Sequence, residues 1–202
     1  DNIAIMYKKK HSAPYTEVTY KKLKKDVYAL GTALIDLGLK GKKIGIIGPT
    51  RYEWAVSYLA TVCGTGTVVP IDKELPKEEI EYIDSVAKLD AIIHTEKDTE
   101  KLKDILPNKI DIYMDEKNEG LTVKKLIKKG NELLKEKDNR FKESLPAPDD
   151  VNILLFTSGT TGLAKAVMLS QKNIAINLMN MCTLFEITPN TRFFSVLPIH
   201  HT

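Results

Sequence analysis

Val151-Asn152-Ile153-Leu154-Leu155-Phe156-Thr157-Ser158-Gly159-Thr160-Thr161-Gly162-Leu163-Ala164-Lys165 decides the fold class. An apolar run, Val151 to Phe156, reads as a buried strand and stops abruptly in hydroxyls and glycines. Ala166 to Leu169 then reads as a short second strand. Ser170 is placed to cap a helix from Gln171 to about Phe185. Gly159 and Gly162 permit turns and close approach of backbone to a ligand. Successive N–H groups in such a turn make an anion nest. Thr157, Ser158, Thr160 and Thr161 add short hydroxyl donors, and Lys165 adds a mobile cation with three N–H donors. The set suits the polyphosphate of a nucleotide. A polar surface hairpin turn uses the same residue types, so composition alone leaves both readings open. The position directly after a buried strand favours the ligand.

Upstream, the chain alternates helix and strand. Tyr20, Leu23, Val27, Leu30, Leu34 and Leu37 mark one helix face, with Thr19 as N-cap and Gly38 as stop. Lys43 to Ile47 is expected as a buried strand, followed by a helix from Tyr52 to about Val62. Thr67–Ile71, Ala91–His94 and Ile110–Tyr113 read as further strands. Pro76 opens a helix to about Lys88, where its missing N–H does no harm. Charged helices are expected near Thr99–Leu106 and Leu121–Lys135. This pattern predicts an α/β fold of layered, mostly parallel sheets flanked by helices. Residues 1–135 form an α/β subdomain, 136–150 a polar connector ending in Pro-Ala-Pro, and 151–202 the strand, loop, helix and closing segment. Sites in such sheets lie beyond the carboxyl ends of the strands, which points to the residues after Ile47, Ile71 and Phe156.

Over 202 residues, 43% are apolar and 28% charged, with a net charge of +3. Lys21, Lys22, Lys24, Lys25 and Asp26 read as a solvated helix face. A nucleic-acid binder needs a focused basic patch interleaved with aromatics, and none is visible, so nucleic acid is not an expected partner. Cys63 and Cys182 lie in apolar stretches and read as small buried hydrophobes, which fits a reducing, cytoplasmic setting. No apolar run reaches the roughly 20 residues of a membrane span, and no signal segment opens the chain. The first residue is Asp rather than Met, so residue 1 is not expected to be the start of the gene.

Phe156-Thr157-Ser158-Gly159-Thr160-Thr161-Gly162-Leu163-Ala164-Lys165 closely resembles the signature loop of the adenylate-forming superfamily, which includes acyl-CoA synthetases, luciferases and peptide-synthetase adenylation domains. A Walker A loop instead needs Gly-Lys-Ser/Thr opening a helix. The resemblance extends along the chain. Val18-Thr19-Tyr20-Lys21-Lys22-Leu23 is similar to the family's early Thr-Tyr-x-x-Leu helix start. Ile46-Ile47-Gly48-Pro49-Thr50-Arg51-Tyr52-Glu53-Trp54 is similar to its long-chain fatty acyl members. Val69-Pro70-Ile71-Asp72 also fits, and Leu197-Pro198-Ile199-His200-His201-Thr202 resembles the Leu-Pro-x-x-His segment near the acyl substrate. Ala164 and Ala166 stand where the family usually has Pro and Gly. A left-handed backbone at position 166 would cost Ala about 1–2 kcal/mol.

The resemblance implies a partial amino-terminal adenylation domain acting with ATP, Mg²⁺ and coenzyme A on a carboxylic acid, with a long-chain fatty acid favoured. Thr157, Ser158, Gly159, Thr160, Thr161, Gly162 and Lys165 are implied to hold the phosphates, with Thr157 near Mg²⁺. Lys165 and His201 are the implied catalytic pair, His201 in the acyl-carboxylate and adenylate pocket. His200 points to the opposite side of an extended segment. Tyr52, Glu53 and Trp54 read as packing residues, and His11 and His94 show no partner. Peripheral membrane contact suits a fatty acyl enzyme, although no amphipathic anchor is evident, and oligomeric state is open. Later acidic, aromatic and lysine residues of the family lie beyond Thr202, so the polypeptide alone is expected not to complete the reaction. A degenerate nucleotide-binding homologue stays open on Ala164 and Ala166, as does an adenylation domain for another carboxylate. A dinucleotide oxidoreductase lacks its ordered glycine fingerprint here, and a serine hydrolase lacks Gly-x-Ser-x-Gly.

Overall fold

The computed structural model describes residues 2–8, 12–157, 164–189, 191–195 and 197–200. The elements in chain order are β1 (Ile3–Tyr7), β2 (Thr16–Thr19), α1 (Tyr20–Asp36), β3 (Lys42–Ile47), α2 (Tyr52–Ala60), β4 (Gly66–Ile71), α3 (Lys77–Ala87), β5 (Ala91–His94), α4 (Thr99–Leu102), β6 (Ile110–Tyr113), α5 (Val123–Lys135), α6 (Arg140–Glu143), β7 (Val151–Thr157), β8 (Lys165–Ser170) and α7 (Gln171–Leu184). Six strands form one sheet in the order β6-β5-β3-β4-β7-β8. All neighbours in it are parallel except β7 and β8, which form an antiparallel hairpin.

Side-chain alternation divides the core between the two faces of the sheet. Ile44, Ile46, Val68, Ala91, Ile93 and Ile153 pack on the side of α1, α2 and α5. Ile47, Val69, Ile71 and Ile92 pack on the side of α3 and α4 with Ile80, Ile83 and Leu102. A parallel sheet covered on both faces needs such near-continuous apolar strands. The ladder between β4 and β7 runs through Val68↔Ile153. Pro70, two residues on, has no N–H to extend it.

The start and stop signals of α1 operate as read. Thr19 accepts a hydrogen bond from the Lys22 N–H at 3.2 Å, and Gly38 has φ +82. Several expectations change. The antiparallel β1–β2 hairpin is an element that periodicity did not give. Pro76 is the N-cap of α3 rather than its first helical residue. The helix expected at Thr99–Leu106 shortens to Thr99–Leu102, and α2 ends at Ala60 in a π-helical turn, Thr61–Thr65. Of β7 only Ile153 is fully buried, because β8 on its outer side is an edge strand. Cys63 is half-buried and Cys182 exposed, so the second is no core residue.

The connector contains α6, whose Phe141 is 1% exposed. Its ring fills the space above Gly31 and Gly64, where a Cβ would meet it at 2.1 and 3.0 Å. One aromatic in a polar stretch thus anchors a segment that composition assigns to a linker.

Candidate functional site

β7 is flanked by β4, whose carboxyl end it shares, and by β8, which returns antiparallel. The hairpin register sets Thr157 opposite Lys165. Both side chains belong to exposed residues. A hydroxyl-bearing and an ammonium-bearing residue are therefore paired at the end of the hairpin where the expected phosphate loop begins and ends. Ser158, Gly159, Thr160, Thr161 and Gly162 lie outside the described residues, as do His201 and His11. Ala166 is paired with Phe156 in regular strand, and the non-glycine residues with positive φ among those described are Lys88 and Lys137. Ala166 thus incurs no left-handed cost.

Beside the hairpin, at the carboxyl ends of β4 and β7, lies a pocket of about 420 Å³. Ile71, Leu75, Leu155 and Phe156 give it apolar walls, and Asp72, Thr157 and His200 add polar groups. His200 Nε2 lies 3.4 Å from Asp72 Oδ2, joining the closing segment to the residue after β4. Sequence reasoning ranked His200 below His201 and gave Asp72 no role. The available signal was position, since Asp72 directly follows a parallel strand.

Other singled-out residues pack rather than line this site. Trp54 is 2% exposed and stacks on Tyr58 with centroids 5.4 Å apart. The Tyr52 hydroxyl donates to Asp26 at 2.8 Å, and burial followed by the Asp26 contact pushes its pKa upward. Arg51 donates to Glu53 at 2.6 Å and to Asp115 at 2.9 Å. His94, expected to lack a partner, is wholly buried, with Nδ1 2.8 Å from the Thr95 carbonyl and Nε2 2.5 Å from Asp111.

The residue types at the hairpin suit a polyphosphate, since a hydroxyl-bearing and a cationic residue are paired at the carboxyl end of β7. For a metal ion the described residues supply less. Among them no three His, Cys, Asp or Glu side chains converge, and Thr157 offers one oxygen, so no step is drawn through magnesium.

The family model described as "AMP-binding enzyme" matches residues 1–202. A long-chain-fatty-acid–CoA ligase 5 of Rattus norvegicus is 32% identical, over all of this chain and 32% of that protein. A long-chain-fatty-acid–CoA ligase 1 of Homo sapiens is 29% identical, over 96% of this chain and 30% of that protein. The chain therefore spans about a third of the length of these relatives. Among solved structures, ATP-bound MatB from Rhodopseudomonas palustris superposes with a TM-score of 0.78 at 22% identity, over 92% of this chain and 36% of that one. A fatty acyl-adenylate ligase from L. pneumophila, in complex with acyl adenylate and pyrophosphate, gives 0.74 at 21%, over 100% and 33%. At these identities the superpositions bear on the fold.

Proposed function

The chain belongs to the AMP-binding enzyme family, and from that premise we propose that it carries the phosphate-gripping part of an ATP-dependent acyl-CoA ligase. The carboxylate oxygen of the acid attacks the α-phosphorus of ATP, and pyrophosphate leaves. The sulfur of coenzyme A then attacks the acyl carbonyl, its proton passes to solvent, and AMP leaves. The first step moves negative charge onto phosphoryl oxygens. Fixed donors aimed at those oxygens stabilise it most where they need no reorganisation.

The observation that carries this reading is the register of β7 and β8, which pairs Thr157 with Lys165 at the carboxyl end of β7. By the family resemblance, Ser158, Gly159, Thr160, Thr161 and Gly162 would hold the phosphates with them, Thr157 would offer its hydroxyl to Mg²⁺, and His201 would serve the acyl carboxylate. The adjoining apolar pocket gives room for an organic chain of a co-substrate. A long-chain fatty acid is the favoured acid, because relatives matched over nearly the whole chain carry that name.

The test is ATP–pyrophosphate exchange with a long-chain fatty acid, using the protein of the complete reading frame. Lys165→Ala should lower exchange on the order of 100-fold while far-ultraviolet circular dichroism stays unchanged. Exchange at the unmodified rate would overturn the assignment.

A further inference from the structure

Between the β1–β2 hairpin and the helices α1, α2 and α5 lies a second pocket, of about 310 Å³, which shares no residue with the one beside β7. Asp26 of α1 marks it. This residue is 3% exposed, and a carboxylate taken out of water needs donors for its oxygens. The Tyr52 hydroxyl donates to Oδ2 at 2.8 Å, and Lys22 pairs with the same oxygen. Among the described residues no donor reaches Oδ1. That oxygen is not sealed in the core, and the space Asp26 borders is this pocket. Tyr7 lies parallel to Tyr52, with ring centroids 5.7 Å apart, and both rings belong to the wall. Val18, Val56, Val123 and Ile127 give apolar surface. The lining holds four carboxylates, Glu17, Asp26, Glu53 and Glu116, against Lys22 and Lys124, a balance of −2. Both lysines are already engaged, by Asp26 and Glu116, whereas Glu17 has no ion pair among the described residues. Burial, and then the charges of Glu53 and Glu116, push the Tyr7 phenol upward, as a negative field does to an acid.

We infer that this pocket is a binding site for a small organic ammonium ion with an apolar or aromatic body. The ammonium group donates to Asp26 Oδ1, a charge-assisted bond of the stronger kind. Glu17 adds attraction from the hairpin side. The tyrosine face draws a cation and stacks with an aromatic ring, and the valines with Ile127 take the hydrocarbon body out of water. An anion would meet a surplus of carboxylates, with both lysines already paired. A neutral molecule of the same shape would forfeit the charge at Asp26. No residue of the phosphate loop or of the pocket beside β7 takes part, so the binding does not rest on the ligase reading above.

The experiment is a ligand-observed NMR titration at pH 7 of the protein of the complete reading frame with 2-phenylethylammonium, 2-phenylethanol and 3-phenylpropanoate. The ammonium compound should bind with a Kd on the order of 1 mM. The alcohol should bind roughly 10-fold more weakly, and the carboxylate should not bind. Asp26→Asn should weaken the ammonium compound roughly 10-fold, with circular dichroism reporting the fold. Tyr7→Leu and Glu17→Gln leave the buried carboxylate in place, and should weaken it roughly 3-fold and 2-fold. These two variants decide the matter if Asp26→Asn does not fold. Equal affinity for the alcohol would place the binding on apolar surface alone and overturn the assignment. So would preference for the carboxylate, undiminished binding by the folded variants, or no binding of the ammonium compound at roughly 10 mM, about ten times the expected Kd.

Discussion

Gly130 lies where α5 meets α1, and a Cβ there would sit 1.8 Å from the Ala29 carbonyl oxygen. That oxygen is fixed by helix hydrogen bonding, so Gly130→Ala must push the helices apart. The expected loss is about 3 kcal/mol in urea unfolding. Phe141 acts in the opposite sense, as a large side chain seated on the small residues Gly31 and Gly64. Phe141→Ala should cost about 3–5 kcal/mol, measured in the same way. Composition could not mark Phe141, because its burial depends on two glycines distant in sequence. At the site, Thr157 and Lys165 were legible as residue types, since hydroxyls, glycines and a lysine after an apolar run describe a phosphate loop. Their opposition across a hairpin was not, because register is a property of two strands. Ala166 shows the same limit from the other side. Its departure from the family pattern raised a question of backbone strain that only the extended pairing with Phe156 answered.

The helix α7 begins with a reciprocal cap. The Ser170 hydroxyl accepts from the Asn173 N–H at 3.3 Å, and the Asn173 side chain accepts from the Ser170 N–H at 2.9 Å. Ser170→Ala should reduce stability by about 0.5–2 kcal/mol, and exchange of the first amides of α7 with solvent deuterium should quicken. This cap was readable because it is local, as was Thr19 at α1. The strands β3, β5 and β6 were readable for a related reason, being short apolar runs between turn signals. The β1–β2 hairpin was missed because its residues alternate weakly. Its strands pair antiparallel, and Tyr7 gains its packing from stacking on Tyr52 at 5.7 Å. The limits of α4 were also unreadable, since propensity allows a longer helix than the chain has room to form.

Across the whole molecule, Asp36 joins three elements. It closes α1 and accepts from Lys129 of α5 at 2.5 Å and from Arg140 of α6 at 3.0 Å. Hydrogen bonds from Lys129 and Arg140 hold its carboxyl below the usual range. A lowered folded pKa adds stability that is full above the unfolded value and is lost as pH falls through the folded one. Asp36→Asn should therefore cost roughly 0.5–1 kcal/mol at pH 7. The gap between variant and parent should close below about pH 4, as urea titrations at several pH values would show. Local order was set by the sequence itself: the alternation of helices and apolar strands, the caps, and the donor-rich turn with its lysine. All of these arise from neighbours within a few positions, where periodicity and backbone sterics act. Tertiary structure alone decided that a polar connector buries Phe141, that Asp72 and His200 meet beside Thr157, and that Lys22 of α1 and Lys124 of α5 line one pocket. Each joins residues far apart in the chain, and such contacts are fixed by the packing of the whole sheet.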